Sequence, residues 1–373
     1  MSKSVFVSYG KQGHNRTEKI LEVLLKNNYN LYYNTLVLKT FKNSGSLKIF
    51  YYPLRILDYI ITNIYNLTRI LITDIYYVPA MAKPKILELV FAKIVRKSIV
   101  VDFYISNYDT FILDRKSISR SSLKGKKLYI FDILLLRFSK KLIFLSESER
   151  THYAKIFGSF LFKKNYEIIR LLIDKTPQAE LNYLNNTSKI FKIVWWGTFI
   201  PLHGLDKIID AFKLAYQLDQ NIQLYIFGDS PVRGEIYEIL AKELISIKVC
   251  FFDYNHSFNN GKLPEFLLRN ADLSLGTFGS SQKANYILSN KVIEAINFKI
   301  PVITASTIGI KEIFSEKELW LCSNDPEDIA RTILKMKNSD KRITIDKIKN
   351  SESLVNKYFN PTKNLSLVNE IFC

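Results

Sequence analysis

Cysteine is scarce in this chain. The 373 residues hold three, Cys250, Cys322 and Cys373, far apart and odd in number. That excludes a disulfide framework, and no pair has zinc-site spacing, so reduced thiols in a cytoplasmic protein are expected. Histidine is nearly as scarce, with four residues and no His/Cys/Asp cluster at metal-ligand spacing. No metal and no cofactor is therefore expected, and His152 and His256 read as ordinary surface histidines. Long uncharged apolar runs are also missing. The most apolar stretch, Ile56 to Val78, is broken by Asp58, Arg69 and Asp74, whereas a bilayer span needs about 20 mostly apolar residues. The first residues run directly into a strand-like segment, Ser4 to Ser8, without signal-peptide architecture. Acidic residues are depleted on one side of the chain. Residues 1–175 hold 30 Lys and Arg against 13 Asp and Glu, and the remainder holds 23 against 22.

What is present suits two packed domains. Apolar residues make up 47% and charged residues 24%, a globular composition, and the length exceeds one ordinary domain. Strand-like runs alternate with helical ones from end to end, the signature of parallel βαβ units. In the first half, Ser4–Ser8, Leu31–Leu38, Ile70–Val78, Ser98–Tyr104 and Lys141–Leu145 are predicted strands, and Lys83–Lys97 a helix. In the second half, strands are expected at Phe191–Trp196, Gln223–Phe227, Val249–Phe252, Leu273–Leu275, Pro301–Thr304 and Leu319–Cys322. Helices are expected near Leu205–Tyr216, Leu263–Arg269, Asn290–Phe298 and Pro326–Lys337. A linker-like stretch between Asp174 and Thr187 divides the chain into residues 1–175, residues 188–342 and terminal helices over 343–373 that cross back to the first domain.

Two segments carry chemistry. In Trp195-Trp196-Gly197-Thr198-Phe199-Ile200-Pro201-Leu202-His203-Gly204 a buried strand ends at Gly197 and a short loop enters a helix at Gly204. The first amides of a helix are unpaired, so phosphate sits well there; a glycine-capped βα loop of no function would look the same. In the second, the strand Leu273–Leu275 leads into Gly276-Thr277-Phe278-Gly279, then Lys283, then Asn290-Lys291-Val292-Ile293-Glu294 and the strand at Pro301. Asn290, Lys291 and Glu294 can share a helix face. A carboxylate there can accept ribose hydroxyls while Lys283, Lys291 and backbone amides meet a diphosphate. A surface Lys–Glu pair would also fit each residue singly; the ordered strand, glycine loop and helix favour a nucleotide site.

This second segment resembles the GT-B glycosyltransferases, and glycosyltransferase family 4 in particular. The stretch Lys291-Val292-Ile293-Glu294-Ala295-Ile296-Asn297-Phe298-Lys299-Ile300-Pro301-Val302 is similar to that family's Glu-Ala-hydrophobic … Pro-Val signature, over about Ile190 to Lys337. The resemblance implies a GT-B architecture, with two Rossmann-like domains facing across a cleft, and a donor site of Gly197, Thr198, His203, Gly204, Gly279, Lys283, Asn290, Lys291 and Glu294. Glu294 falls at the family's ribose-binding glutamate. The family's phosphate-binding arginine and lysine are replaced by Thr198 and His203, and the first carboxylate of its E-x7-E pair by Tyr286. The implied activity is transfer of a sugar, with retention of configuration, from a nucleotide-sugar donor to a hydroxyl of a lipid-linked or polysaccharide acceptor, without a metal.

On the acceptor side, Asp102 ends a buried strand, where cleft residues of an open α/β sheet lie, and is the candidate to orient or deprotonate a hydroxyl. His14 is a second candidate catalytic residue, with Gly13 and Asp109 lining the acceptor side; Asp114-Arg115 reads as a surface ion pair. The basic first half suits an anionic partner, expected to be the inner face of the cell membrane, with Lys83–Lys97 and Lys124–Lys141 as interfacial helices. Core-packed helices with basic outer faces fit equally. A non-catalytic scaffold, a nucleotide-sugar epimerase and a nucleic-acid binder remain alternatives. Against the last, the aromatic residues lie within apolar runs and no binding module is present.

Overall fold

In the computed structural model, residues 3–8, 15–34, 48–82, 85–173, 190–228 and 231–372 are described. Among these residues, twelve short strands form two six-stranded sheets, each parallel throughout. The first contains β1 (Ser4–Val7), β2 (Asn30–Tyr33), β3 (Ile75–Val78), β4 (Ser98–Asp102), β5 (Lys141–Phe144) and β6 (Asn165–Ile168), in the order β2-β1-β3-β4-β5-β6. The second contains β7 (Phe191–Trp196), β8 (Ile222–Phe227), β9 (Cys250–Asp253), β10 (Leu273–Leu275), β11 (Val302–Ala305) and β12 (Trp320–Cys322), in the order β12-β11-β10-β7-β8-β9. Read from β9, the second sheet has the 3-2-1-4-5-6 order of a dinucleotide-binding fold, and its order reverses between β7 and β10. The chain thus has the two-domain GT-B architecture.

The central strands are apolar because helices cover both sheet faces. In β7, Ile193, Val194 and Trp195 are fully buried; Trp195 joins a core with Phe199, Phe212 and Ile226, and Val194 one with Ile293 and Phe314. In the first domain Phe6, Tyr76, Ile99 and Phe144 form the corresponding core. The helix Lys341–Tyr358 puts Val355 into the second domain's core. After it the chain crosses back: the helix Pro361–Phe372 inserts Val368, Ile371 and Phe372 beside Val5, Ile20 and Tyr77 of the first domain.

Three features differ from the sequence reading. Ile70–Ile72 end the 25-residue helix Lys48–Ile72 rather than opening a strand, and β3 begins at Ile75. An apolar run without turn residues looks alike in either state, and its length decides for helix. A π-helix, Asp109–Asp114, follows β4, and β6 adds a strand at the sheet edge. The expected linker residues 174–187, together with Gly13 and His14, lie outside the described residues.

The largest correction concerns Asp102. Its two oxygens accept from the Arg16 guanidinium, at 2.7 Å from Nε and 3.2 Å from Nη2, and both side chains are buried. Arg16 Nη1 also donates to the carbonyls of Ile169 and Arg170. The pair therefore ties β4, the helix Asn15–Lys26 and the segment after β6 together, and the carboxylate, closed off from solvent, does not present itself to an acceptor hydroxyl. Asp102→Asn would strand a buried guanidinium, a loss of about 3–5 kcal/mol. Urea unfolding is expected to register that loss. A variant of unchanged stability whose turnover collapses would restore Asp102 as a catalytic base.

Candidate active site

The loops after β7 and β10 emerge side by side at the carboxyl end of the second sheet, where its strand order reverses. They touch backbone to backbone. Gly204 has φ +63°, and a Cβ there would lie 2.5 Å from the Phe278 carbonyl carbon; one on Gly279 would lie 2.3 Å from the Leu202 oxygen. Phe278 N–H also donates to the His203 carbonyl. Only glycine allows this approach, so the two loops form one rigid floor. Thr198 stands exposed on it.

The helix Asn290–Asn297 lies over the end of β7. Lys291 Nζ sits 3.8 Å from the centroid of the Trp195 ring, buried, with no hydrogen-bond partner among the described residues. It also approaches Gly197, where an added Cβ would be 3.1 Å away. Burial pushes the Lys291 pKa well below the ordinary lysine value, with Glu294 opposing. Glu294, three residues on, accepts a 2.7 Å hydrogen bond from the Trp196 indole N–H, and burial raises its pKa. Adjacent tryptophans of β7 therefore seat the cation and the carboxylate. Asn290, at the exposed end of the helix, bonds to Tyr104 across the cleft.

His203 Nδ1 lies 2.7 Å from the Thr198 carbonyl oxygen. A carbonyl only accepts, so Nδ1 carries the proton and Nε2 is left as an acceptor. Burial, and next the Lys291 charge, push its pKa well below the ordinary histidine value. His203 is accordingly neutral near pH 7 and does not supply the positive charge of the lysine it replaces.

The first domain completes the site through residues the sequence reading placed differently. Lys283, expected at the diphosphate, is buried in the seam: Nζ donates to Thr110 Oγ1 at 2.6 Å and lies 3.5 Å from Asp109 Oδ2. Asp109 is closed off from solvent and so does not present itself to an acceptor; its Oδ1 is 3.1 Å from His152 Nε2. His152 is buried, not superficial, and stacks on Tyr286 with ring centroids 5.2 Å apart. Asp114 pairs with Ser281 Oγ across the cleft at 2.7 Å rather than with Arg115. Arg115 Nε is buried without a hydrogen-bond partner among the described residues, and the Arg115 charge acts on His203. Sequence reasoning paired Arg115 with its neighbour Asp114 and so did not single it out as a cation near His203. His256 pairs with Asp253 at 2.8 Å, on the far side of the β8–β9 edge. Among the described residues no group of three His, Cys, Asp or Glu is placed to hold a metal ion.

A second set of contacts closes the seam. Glu312 accepts from the Ser148 and Glu147 amides, at the start of the helix Glu147–Phe157, and from Arg170. A carboxylate is favoured at such unpaired amides. Behind it Glu149 is fully buried, accepting from the Leu145 amide and the Tyr153 hydroxyl, and burial pushes its pKa up to about 8. A pKa raised by folding gives stability that is complete below the ordinary value of 4.5 and lost as pH rises through about 8. Glu149→Gln, neutral at every pH, is expected to flatten the fall in thermal midpoint between about pH 5 and 8. A midpoint that falls as steeply in the variant would assign the pH dependence elsewhere.

Residues 182–351 match the family described as "Glycosyl transferases group 1". No curated protein matches the chain. Anabaena HepE, solved in complex with UDP-glucose, is 16% identical with a TM-score of 0.67, over 100% of this chain and 99% of that one. Sucrose-phosphate synthase from Thermosynechococcus elongatus is 13% identical with a TM-score of 0.68, over 100% and 98%. TarM of S. aureus, solved with fondaparinux, alpha-GlcNAc-glycerol and UDP, is 16% identical with a TM-score of 0.56, over 82% of this chain and 59% of that one. Residues 182–351 are thus similar to the group 1 glycosyl transferases, and the chain has the GT-B fold of these solved structures.

Proposed function

We propose that the chain moves a sugar from a nucleoside-diphosphate sugar to a hydroxyl of a lipid-linked or polysaccharide acceptor, retaining anomeric configuration. The observation that carries this reading is the Lys291 ammonium, without a hydrogen-bond partner among the described residues and buried against Trp195 at the strand-order switch, with Glu294 one turn away. An unpaired cation held out of water is poised for an anion, because anion binding restores the charge that burial disfavours. The reading assigns the diphosphate to Lys291 and the ribose hydroxyls to Glu294. The Arg115 charge, from the first domain, is felt at His203 and is taken as a second cation for the diphosphate.

In the reaction, the bond between the anomeric carbon and the phosphate oxygen breaks and a bond to the acceptor oxygen forms. The acceptor's proton passes to the departing diphosphate oxygen. Charge grows on the departing diphosphate, where Lys291 and Arg115 would be most effective in a site without water. His203, neutral with a free Nε2, would gain a proton only once that negative charge is beside it. HepE and TarM were solved with UDP-glucose and with UDP, so UDP-sugars are the donors to try first.

A thermal-shift screen of UDP-, GDP- and ADP-sugars is expected to give stabilisation by one nucleotide class. Glu294→Ala should remove that shift, weakening affinity about ten- to hundredfold for the lost charge-assisted hydrogen bonds. If no nucleotide stabilises the protein, the transferase reading fails.

Arg115→Gln and Lys291→Met separate the two lobes. Lys291→Met should weaken nucleotide binding itself, whereas Arg115→Gln should lower turnover more than donor affinity, as for a group that acts on the closed cleft. Steady-state kinetics check this; equal effects on binding and turnover from Arg115→Gln would place it in ground-state binding.

A further inference from the structure

The helix Lys48–Ile72 is built inside out. Towards the domain it buries Thr62, Asn63 and Asn66, along with Ile70. Asn66 donates to Glu88 and Asn34, both at 3.1 Å, and Lys85 donates to Asn63 at 2.7 Å. Glu88 itself is fully buried. Towards solvent the helix presents its apolar side chains. Ile56 and Ile64 are each 61% exposed and Ile72 59%, with Leu57, Ile60 and Leu71 exposed among them. At 100° per residue these six fall in one arc of about 160°. A surface helix normally has the reverse arrangement. Here a hydrogen-bonded polar face fixes which side points outward, so the apolar arc cannot turn in.

The rim of the arc is aromatic and basic. Arg69 lies 5.0 Å from the Tyr65 ring on one flank, and Lys85 lies 4.9 Å from the Tyr59 ring on the other. The neighbouring helix Ile86–Ile94 adds exposed Leu87 and Ile94. Among the described residues no helix is long and apolar enough to cross a membrane. A 25-residue helix with such an arc, about 37 Å long, instead suits lying in the plane of a lipid surface.

We infer that this face docks the first domain onto an anionic lipid surface, the apolar arc entering the acyl boundary and the basic rim meeting the headgroups. Charge selects lipid over a second copy of the chain. A two-fold contact through this face would set two basic rims against each other, within a region carrying 30 basic against 13 acidic residues; anionic headgroups attract the same rims. The sequence reading expected interfacial helices at Lys83–Lys97 and Lys124–Lys141; the geometry assigns the leading role to Lys48–Ile72 instead. The inference rests on the reading that the acceptor is lipid-borne only for its biological purpose.

The test is co-sedimentation of the full chain with vesicles of phosphatidylcholine, alone or mixed with phosphatidylglycerol, comparing wild type with Ile60→Ser/Ile64→Ser. Both substitutions are at exposed positions, and an unchanged thermal midpoint confirms folding. The wild type should pellet with the mixed vesicles and much less with the neutral ones, and the double variant should lose about tenfold in vesicle affinity. Wild type left in the supernatant, or a variant that pellets equally, overturns the inference. So does a wild type that elutes as a dimer and a variant as a monomer with neither pelleting, which assigns the face to a second copy. The nucleotide thermal shift is read on the same samples. A chain that pellets yet is shifted by no nucleotide sinks the transferase reading and leaves the docking face standing.

Discussion

The cleft depends on one lysine. Lys283 belongs to the second domain, yet its ammonium is enclosed by Asp109 and Thr110 of the first, with His152 behind Asp109 and Tyr286 stacked on His152. This seam holds the segment after β4 against the helix Gln282–Tyr286 of the second domain. A seam of ion pairs and hydrogen bonds separates more easily than an apolar core, because water can replace each partner. The same bonds are strong while closed, since water is excluded. Ser281 with Asp114, and Glu312 with the Ser148 amide, repeat the pattern along the cleft. Domains that must open for a donor and shut on it need an interface of this kind.

The positive charge of the site has been moved rather than lost. By resemblance, an arginine and a lysine would stand in the loop after the first strand of the second domain; this chain has Thr198 and His203 there. Lys291 reaches back from the helix Asn290–Asn297 to the space beside Gly197 and His203. Its aliphatic stem and the Trp195 face supply the surroundings, and the ammonium occupies the place that matters. The Arg115 charge in the opposite lobe also acts on His203. A ligand's charge recognises where a cation is, not which residue number delivers it.

The second domain was largely legible in the sequence, because alternating strands and helices with glycines at strand ends leave few topologies. The strand Phe191–Trp196 and the helix at Asn290 fall where the pattern put them. The first domain was harder, for two physical reasons. Its buried charges are paired over long separations, Asp102 with Arg16 and Asp109 with Lys283. A carboxylate at a strand end reads as a site residue until its partner is seen. Its helix Lys48–Ile72 defeats a reading by polarity, since its buried face holds Asn63 and Asn66 and its exposed face Ile56, Ile60, Ile64 and Ile72. Periodicity identifies a helix of that kind only to a reader who does not assume that apolar means inside.

The chain has three tryptophans, and two of them, Trp195 and Trp196, are the seats of Lys291 and Glu294. Indole emission responds to a nearby charge and to the loss of a hydrogen bond on its nitrogen. The protein therefore carries its own optical reporter beside Lys291 and Glu294. With Trp320 on the outer strand β12 as the remaining emitter, its intrinsic fluorescence is weighted towards the one place where a bound anion would change the local field.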